Sequence, residues 1–170
     1  MLEKQKVLRL KKGDVFRLKI SEEIYAYAQY AKPPLAIFFN AFSKGYLSIE
    51  DVINMPTAFK VYVHKSTFKN DLCERIGNTE VSEANMMEPL TFKQDIISGG
   101  LFLYKYQGDA SNVFHPAKYE DCENIETTSV WEFFHVRTRL LDLFEGKPNR
   151  WIGKYVIDQE KLAKYLEKQK

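Results

Sequence analysis

Three histidines and two cysteines are the side chains of this sequence best suited to metal or nucleophile chemistry. His64 ends a strand-like run, His115 stands beside Pro116, and His135 falls on the polar side of a helix-like run. A metal site needs several ligands that converge, usually at paired spacings, and no HxxxH, CxxC or HExxH arrangement occurs. Cys73 or Cys122 could serve as a nucleophile beside an imidazole. Neither lies at a strained elbow or a glycine-flanked helix start, so both read as small buried hydrophobes. Gly99-Gly100 stands outside any GxGxxG or GxxxxGK phosphate loop. The expectation is a protein that is not an enzyme, with no catalytic residue, no cofactor and no metal.

Arg137 is the charged residue most at odds with its surroundings. From Thr127 or Thr128 to Glu145 the sequence reads as one long helix stopped by Gly146 and Pro148. At about 100° per residue, Val130, Phe133, Phe134, Leu140, Leu141 and Phe144 all lie within about 60° of Arg137. An arginine centred in an apolar stripe must find an acceptor, so Arg137 is expected to be a structural staple, with Glu123 or Glu126 as candidate partners. Glu132, His135, Arg139 and Asp142 fall on the opposite, water-facing side.

The elements that would position these groups are mostly strands. Val15 to Ile20 and Ile24 to Tyr30 read as a hairpin, with Tyr25, Tyr27 and Gln29 on one side. Lys32-Pro33-Pro34 interrupts the pattern, and Leu35 to Asn40 reads as a third, buried strand. Ser48 caps a short helix over Ile49 to Ile53 that ends at Pro56. Ala58 to His64 alternates as a strand with Phe59, Val61 and Val63 on one face. Further strands are expected near Glu74 to Glu80, Leu90 to Gln94 and Leu101 to Tyr106, then a loop from Gly108 to Pro116. A lysine-rich helix over about 158–168, capped by Asp158, closes the chain and is expected to be weakly anchored.

Together these elements predict an α+β fold: a curved, mainly antiparallel sheet, open or barrel-like, packed by one long helix in the C-terminal half, plus short helices. At 170 residues, 45% hydrophobic and 14% aromatic, the chain is expected to form a single domain over 1–170, with its core over about 10–157. No repeat or low-complexity linker marks a second one. Met1 to Lys12 alternates charge with apolar residues and lacks an export pattern, and the longest apolar run, Pro33 to Phe39, is too short to span a bilayer. With its two cysteines far apart, the sequence reads as cytoplasmic, with no membrane partner.

The net charge of +2 is unevenly spread. Asp71 to Glu126 carries eleven acids and four bases, a balance of −7, while both ends are basic. Such asymmetry can steer a partner of opposite charge, with Glu80, Glu83 and Glu88 as the first candidate contacts. The basic start (Lys4, Lys6, Arg9, Lys11, Lys12, Arg17, Lys19), with Tyr25 and Tyr27 as stacking surfaces, offers the alternative of a small β-rich module for nucleic acid or peptide. It lacks a second basic stretch or a recognition helix, so nucleic-acid binding is not expected.

The order of several short pieces resembles the immunity protein 26 family of bacterial polymorphic toxin systems. These are Gly13-Asp14-Val15-Phe16, Tyr25-Ala26-Tyr27-Ala28-Gln29, Leu35 to Asn40, Phe59-Lys60-Val61-Tyr62-Val63, Phe92-Lys93-Gln94-Asp95, and Cys122-Glu123-Asn124-Ile125-Glu126 leading into Val130 to Arg137. One block departs from the pattern: Glu74-Arg75-Ile76-Gly77 lacks a tryptophan before its Ile-Gly pair, a combination found instead at Trp151-Ile152-Gly153. The resemblance implies a cytoplasmic protein that binds and neutralises the effector domain of a cognate toxin, commonly a nuclease with a basic cleft. It brings no catalytic or cofactor residues.

Overall fold

The computed structural model describes residues 9–105 and 113–170. In chain order its strands are β1 (Asp14–Lys19), β2 (Tyr25–Lys32), β3 (Leu35–Ser43), β4 (Thr57–Val63), β5 (Cys73–Asn78), β6 (Thr91–Gln94), β7 (Leu101–Lys105), β8 (Val113–Ala117), β9 (Glu126–Thr127) and β10 (Val130–Trp131). The helices are α1 (Ile49–Ile53), α2 (Glu83–Met86), α3 (Tyr119–Cys122), α4 (Phe133–Phe144), α5 (Gly153–Val156) and α6 (Gln159–Glu167), with a 3₁₀ turn at Thr67–Lys69. The protein is α+β, as the alternating and helical patterns predict. It parts into two compact units: the chain up to Met87 with Val130–Gly146, and Glu88–Ser129 with Lys147–Lys170.

The first unit is built on a six-stranded sheet ordered β10-β4-β3-β2-β1-β5, antiparallel except where β10 runs parallel to β4. Its edges are β5 and β10, so the described strands form an open sheet and not a barrel. Register places Phe16, Ala28, Phe38 and Phe59 in one row across four strands, because directly paired residues share a face. Phe68, from the 3₁₀ turn, stacks on that row, with ring centroids 4.3 Å from Phe16. Helix α4 covers the same face: the Arg139 guanidinium lies 3.7 Å from the centre of the Phe59 ring, and Phe144 packs 5.4 Å from Phe42. The opposite face carries Val15, Arg17, Tyr27, Gln29, Ile37 and Lys60, and α1 and α2 lie over it.

Gly13-Asp14 shows why the first motif has its composition. Gly13 sits at φ +87°, and a Cβ there would strike the Thr79 carbonyl. The buried Asp14 carboxylate accepts from Lys11 N (2.8 Å) and Asn78 Nδ2 (2.9 Å) and pairs with Arg75 Nε at 3.2 Å. One carboxylate therefore ties the chain before β1 to the edge strand β5.

Helix α4 corrects the expected long helix. Residues 130–131 pair with β4 at Tyr62 and Val63, and the helix starts only at Phe133. Its buried residues are Phe133, Val136, Arg139 and Leu140, so the inward face is rotated from the stripe centred on Arg137. Arg139, expected to face water, is 8% exposed.

The second unit holds a four-stranded sheet ordered β8-β7-β6-β9, with β9 parallel to β6 and the other pairs antiparallel. One face supplies Phe92, Leu101, Leu103 and Ala117 to a core completed by Cys122, Ile125, Ile157, Leu162 and Tyr165. The expected loop at Gly108 to Pro116 falls partly outside the described residues, and its end pairs with β7 as strand β8. Pro116 is accommodated because β8 is an edge strand. The closing helix is not weakly held: Leu162 of α6 is buried, and the Tyr165 ring lies against Gly100. Gly153 lies against the Cys122 carbonyl, where a Cβ would clash. This is the packing role that the Trp151-Ile152-Gly153 run serves, with Trp151 O accepting Thr127 N at 3.0 Å.

Candidate interaction surface

The groups singled out for chemistry are dispersed. His64, His115 and His135 are exposed, His64 hydrogen-bonds Ser66 at 2.6 Å, and His135 lies edge-on to Trp131. Burial pushes the Cys73 thiol up to about 12, and burial with the nearby Asp121 charge pushes the Cys122 thiol up to about 11. Both are neutral thiols near pH 7, the opposite of an activated nucleophile. Among the described residues no three metal-ligating side chains gather, and no helix is long and apolar enough to cross a membrane.

Arg137 is half-buried, and its Nε donates to the backbone carbonyl of Ile20 at 3.0 Å. The acceptor shown is thus the backbone carbonyl just after β1 and not a carboxylate. Arg139 is the arginine embedded in aromatics, 3.7 Å from Phe59 and 5.2 Å from Trp131. The stacking surfaces proposed on the basic start are also taken. Tyr27 is fully buried, its hydroxyl donating to Gly45 O (3.0 Å) and accepting Leu47 N (3.0 Å). Tyr25 faces the Arg17 guanidinium at 4.2 Å. Lys4 and Lys6 lie outside the described residues.

What remains is a surface on the first unit, over the sheet face opposite α4. Gln29 Nε2 donates to Thr79 O (3.0 Å) and Glu80 O (3.4 Å), drawing the chain after β5 across β2. Helix α2 then lies over β4, because Lys60 Nζ donates to the carbonyls of Ala84 (3.1 Å) and Met87 (2.7 Å). Thr57 Oγ1 donates to Asn85 Oδ1 at 2.9 Å, which joins α2 to the strand that follows α1. Helix α1 has a complete capping box between Ser48 and Asp51, and its Ile49 side chain covers Gly77 of β5.

In this unit Glu50, Glu80 and Glu83 are exposed to water, and so are the large apolar side chains of Tyr46, Met55 and Met87. Tyr46 is 69% exposed yet fixed: Arg17 lies 3.4 Å from its ring centre, and its hydroxyl donates to Glu74 Oε2 at 3.3 Å. The lysines nearby are engaged, Lys44 with Glu23 at 2.8 Å and Lys60 with the α2 carbonyls. Exposed acidic and apolar side chains on one unit are suited to binding protein: the charges set encounter, and the apolar groups bury area.

The structure divides the predicted acidic trio. Glu80 and Glu83 are exposed on this surface, whereas Glu88 begins the second unit with its carboxylate oxygens withdrawn from solvent. Tyr46, Met55 and Met87 carried no sequence signal of their own, since isolated apolar residues in turns are ordinary.

No family model, curated protein or solved structure matches the chain.

Proposed function

We propose that this protein is an immunity protein: it binds the effector domain of a cognate bacterial toxin in the cytoplasm and blocks it by covering its working surface. The carrying observation is that the first unit exposes Glu50, Glu80 and Glu83 as well as Tyr46, Met55 and Met87. A toxin whose active cleft is basic, as in a nuclease, complements that surface. The resemblance of the motif order to the immunity protein 26 family supports the same reading. Those motifs do structural work here: Asp14 is enclosed, Gln29 and Tyr27 bind backbone, and Phe59 and Phe92 fill cores. The interface therefore belongs to the residues between them.

Co-expression with the effector domain of the toxin encoded by the adjoining gene tests the proposal. Growth should be restored, and the purified pair should bind with Kd at about nanomolar or tighter. Failure of the pair to associate would refute it. Salt-sensitive submicromolar binding to generic single- or double-stranded nucleic acid would instead favour the β-rich binding module.

A further inference from the structure

Tyr46 stands in the turn between β3 and α1, and its backbone is fixed on both sides. The buried Tyr27 hydroxyl donates to Gly45 O (3.0 Å) and accepts Leu47 N (3.0 Å), and Ser43 Oγ donates to Gly45 O at 2.6 Å. Two residues further on, Ser48 caps α1. The ring is fixed as well: the Arg17 guanidinium lies 3.4 Å from its centre, and its hydroxyl donates to Glu74 Oε2 at 3.3 Å. With Arg17 over one face Tyr46 is still largely exposed, so the other face of the ring lies open to water.

Charge is sorted by depth at this site. Register sets Arg17 of β1 directly across from Glu74 of β5, and Arg17 Nη2 donates to Glu74 Oε2 at 2.7 Å. The Arg17 side chain is 10% exposed, closed over by the rings of Tyr46 and Tyr25, whereas that of Glu74 is 52% exposed. Of this ion pair, water meets the acid and not the base. Oε2 takes both bonds, from Arg17 and Tyr46, while Oε1 has no partner among the described residues. The neighbouring cations are committed elsewhere: Arg75 to Asp14 at 3.2 Å, Lys44 to Glu23 at 2.8 Å and Lys19 to Glu22 at 3.6 Å. An oriented carboxylate oxygen beside an open aromatic face is a receptor for an ammonium or guanidinium group, because both attract positive charge.

We propose that Tyr46 and Glu74 anchor the toxin interface by receiving one lysine or arginine side chain of the effector domain, against the open ring face and Glu74 Oε1; this step rests on the function proposed above. Charge selects the occupant. A nucleic acid or an anionic lipid headgroup would bring phosphate up to an outward carboxylate. A free divalent cation would find one carboxylate where it needs several oxygen ligands. A basic side chain of a protein satisfies both groups at once. The receptor is already ordered in the free chain by Arg17 and Tyr27, so little conformational freedom is lost when it is filled. Tyrosine is also among the residues on which binding energy concentrates in protein interfaces.

The test titrates the full-length chain and its Glu74→Gln, Tyr46→Ala and Tyr46→Phe variants with the purified effector domain of the toxin encoded by the adjoining gene, at a temperature well below every variant's thermal melt. Glu74→Gln keeps an acceptor for Arg17 and removes the charge; its Kd should rise about tenfold and depend less on salt. Tyr46→Ala removes the ring and should raise Kd about thirtyfold, mainly through faster dissociation. Tyr46→Phe retains the ring face and should stay within about threefold of the parent. If the parent binds and either Glu74→Gln or Tyr46→Ala, still folded, binds as tightly, the anchor is overturned while the proposed function stands; if the parent does not bind, both fall. A dimer of the parent in sedimentation that Glu74→Gln abolishes would assign the receptor to a second copy of the chain, and would also overturn it.

Discussion

Arg137 and Arg139 stand two residues apart on α4, and their surroundings rank the cost of losing each. Arg139 is nearly enclosed, with its guanidinium against the rings of Phe59 and Trp131. Arg139→Ala removes a cation–π contact and the packing of its stem and uncovers two aromatic faces, so it should cost about 2–4 kcal/mol. Arg137→Ala loses the bond to Ile20 O and should cost about 1 kcal/mol. Urea melts of the two variants check the ranking, and a larger loss for Arg137 would reverse it. The cysteines give a second prediction. Cys122, raised to about 11, binds its proton more tightly folded than unfolded, so its contribution is whole below its unfolded value near 9 and is lost as pH rises towards 11. Cys122→Ala should therefore flatten the fall in stability between about pH 9 and 11, while lowering stability at pH 7 through lost packing. An identical alkaline slope in both proteins would show that other groups set it.

At the scale of elements, glycines separate strain from steric contact. Gly13 and Gly146 both have positive φ, at 87° and 72°, but a Cβ at Gly13 meets the Thr79 carbonyl while one at Gly146 meets open space. Gly146→Ala should cost only the left-handed penalty of about 1–2 kcal/mol. Gly13→Ala adds displacement of the Thr79 backbone and should exceed it by about 2 kcal/mol or more, as thermal melts would reveal. The strands β1 to β4 and the Ser48 and Asp158 helix caps were legible because alternation and capping act over a few residues. The start and phase of α4 were not. Residues 130–131 are drawn into a pairing with β4 some 68 residues earlier in the chain, and Arg139 is buried by rings contributed by that strand and by β10. Neither effect leaves a periodic trace in the helix itself. The short helices α2, α3 and α5 escaped notice for a related reason: at four residues each they are held by tertiary bonds such as those of Lys60 and not by a pattern of their own.

For the whole molecule, folding redistributes the charge that the linear sequence displays. In the second unit, residues 88–129 carry seven acids and three bases, and residues 147–170 carry three acids and seven bases, so that unit is balanced. The acidic middle is thus divided: its later part is balanced within its own unit, and its exposed Glu80 and Glu83 belong to the first unit, as does exposed Glu50 of α1. If a basic partner docks there, Glu50→Gln, Glu80→Gln and Glu83→Gln together should lower its association rate about tenfold at low salt and flatten the salt dependence. The dissociation rate should change by less than about threefold, because exposed rim charges guide approach more than they hold a complex. Glu120→Gln, in the balanced unit, should leave both rates unchanged. Stopped-flow mixing of each variant with the effector domain of the proposed cognate toxin at two salt concentrations separates these outcomes, and an unaltered low-salt association rate in the triple variant would remove these residues from the encounter.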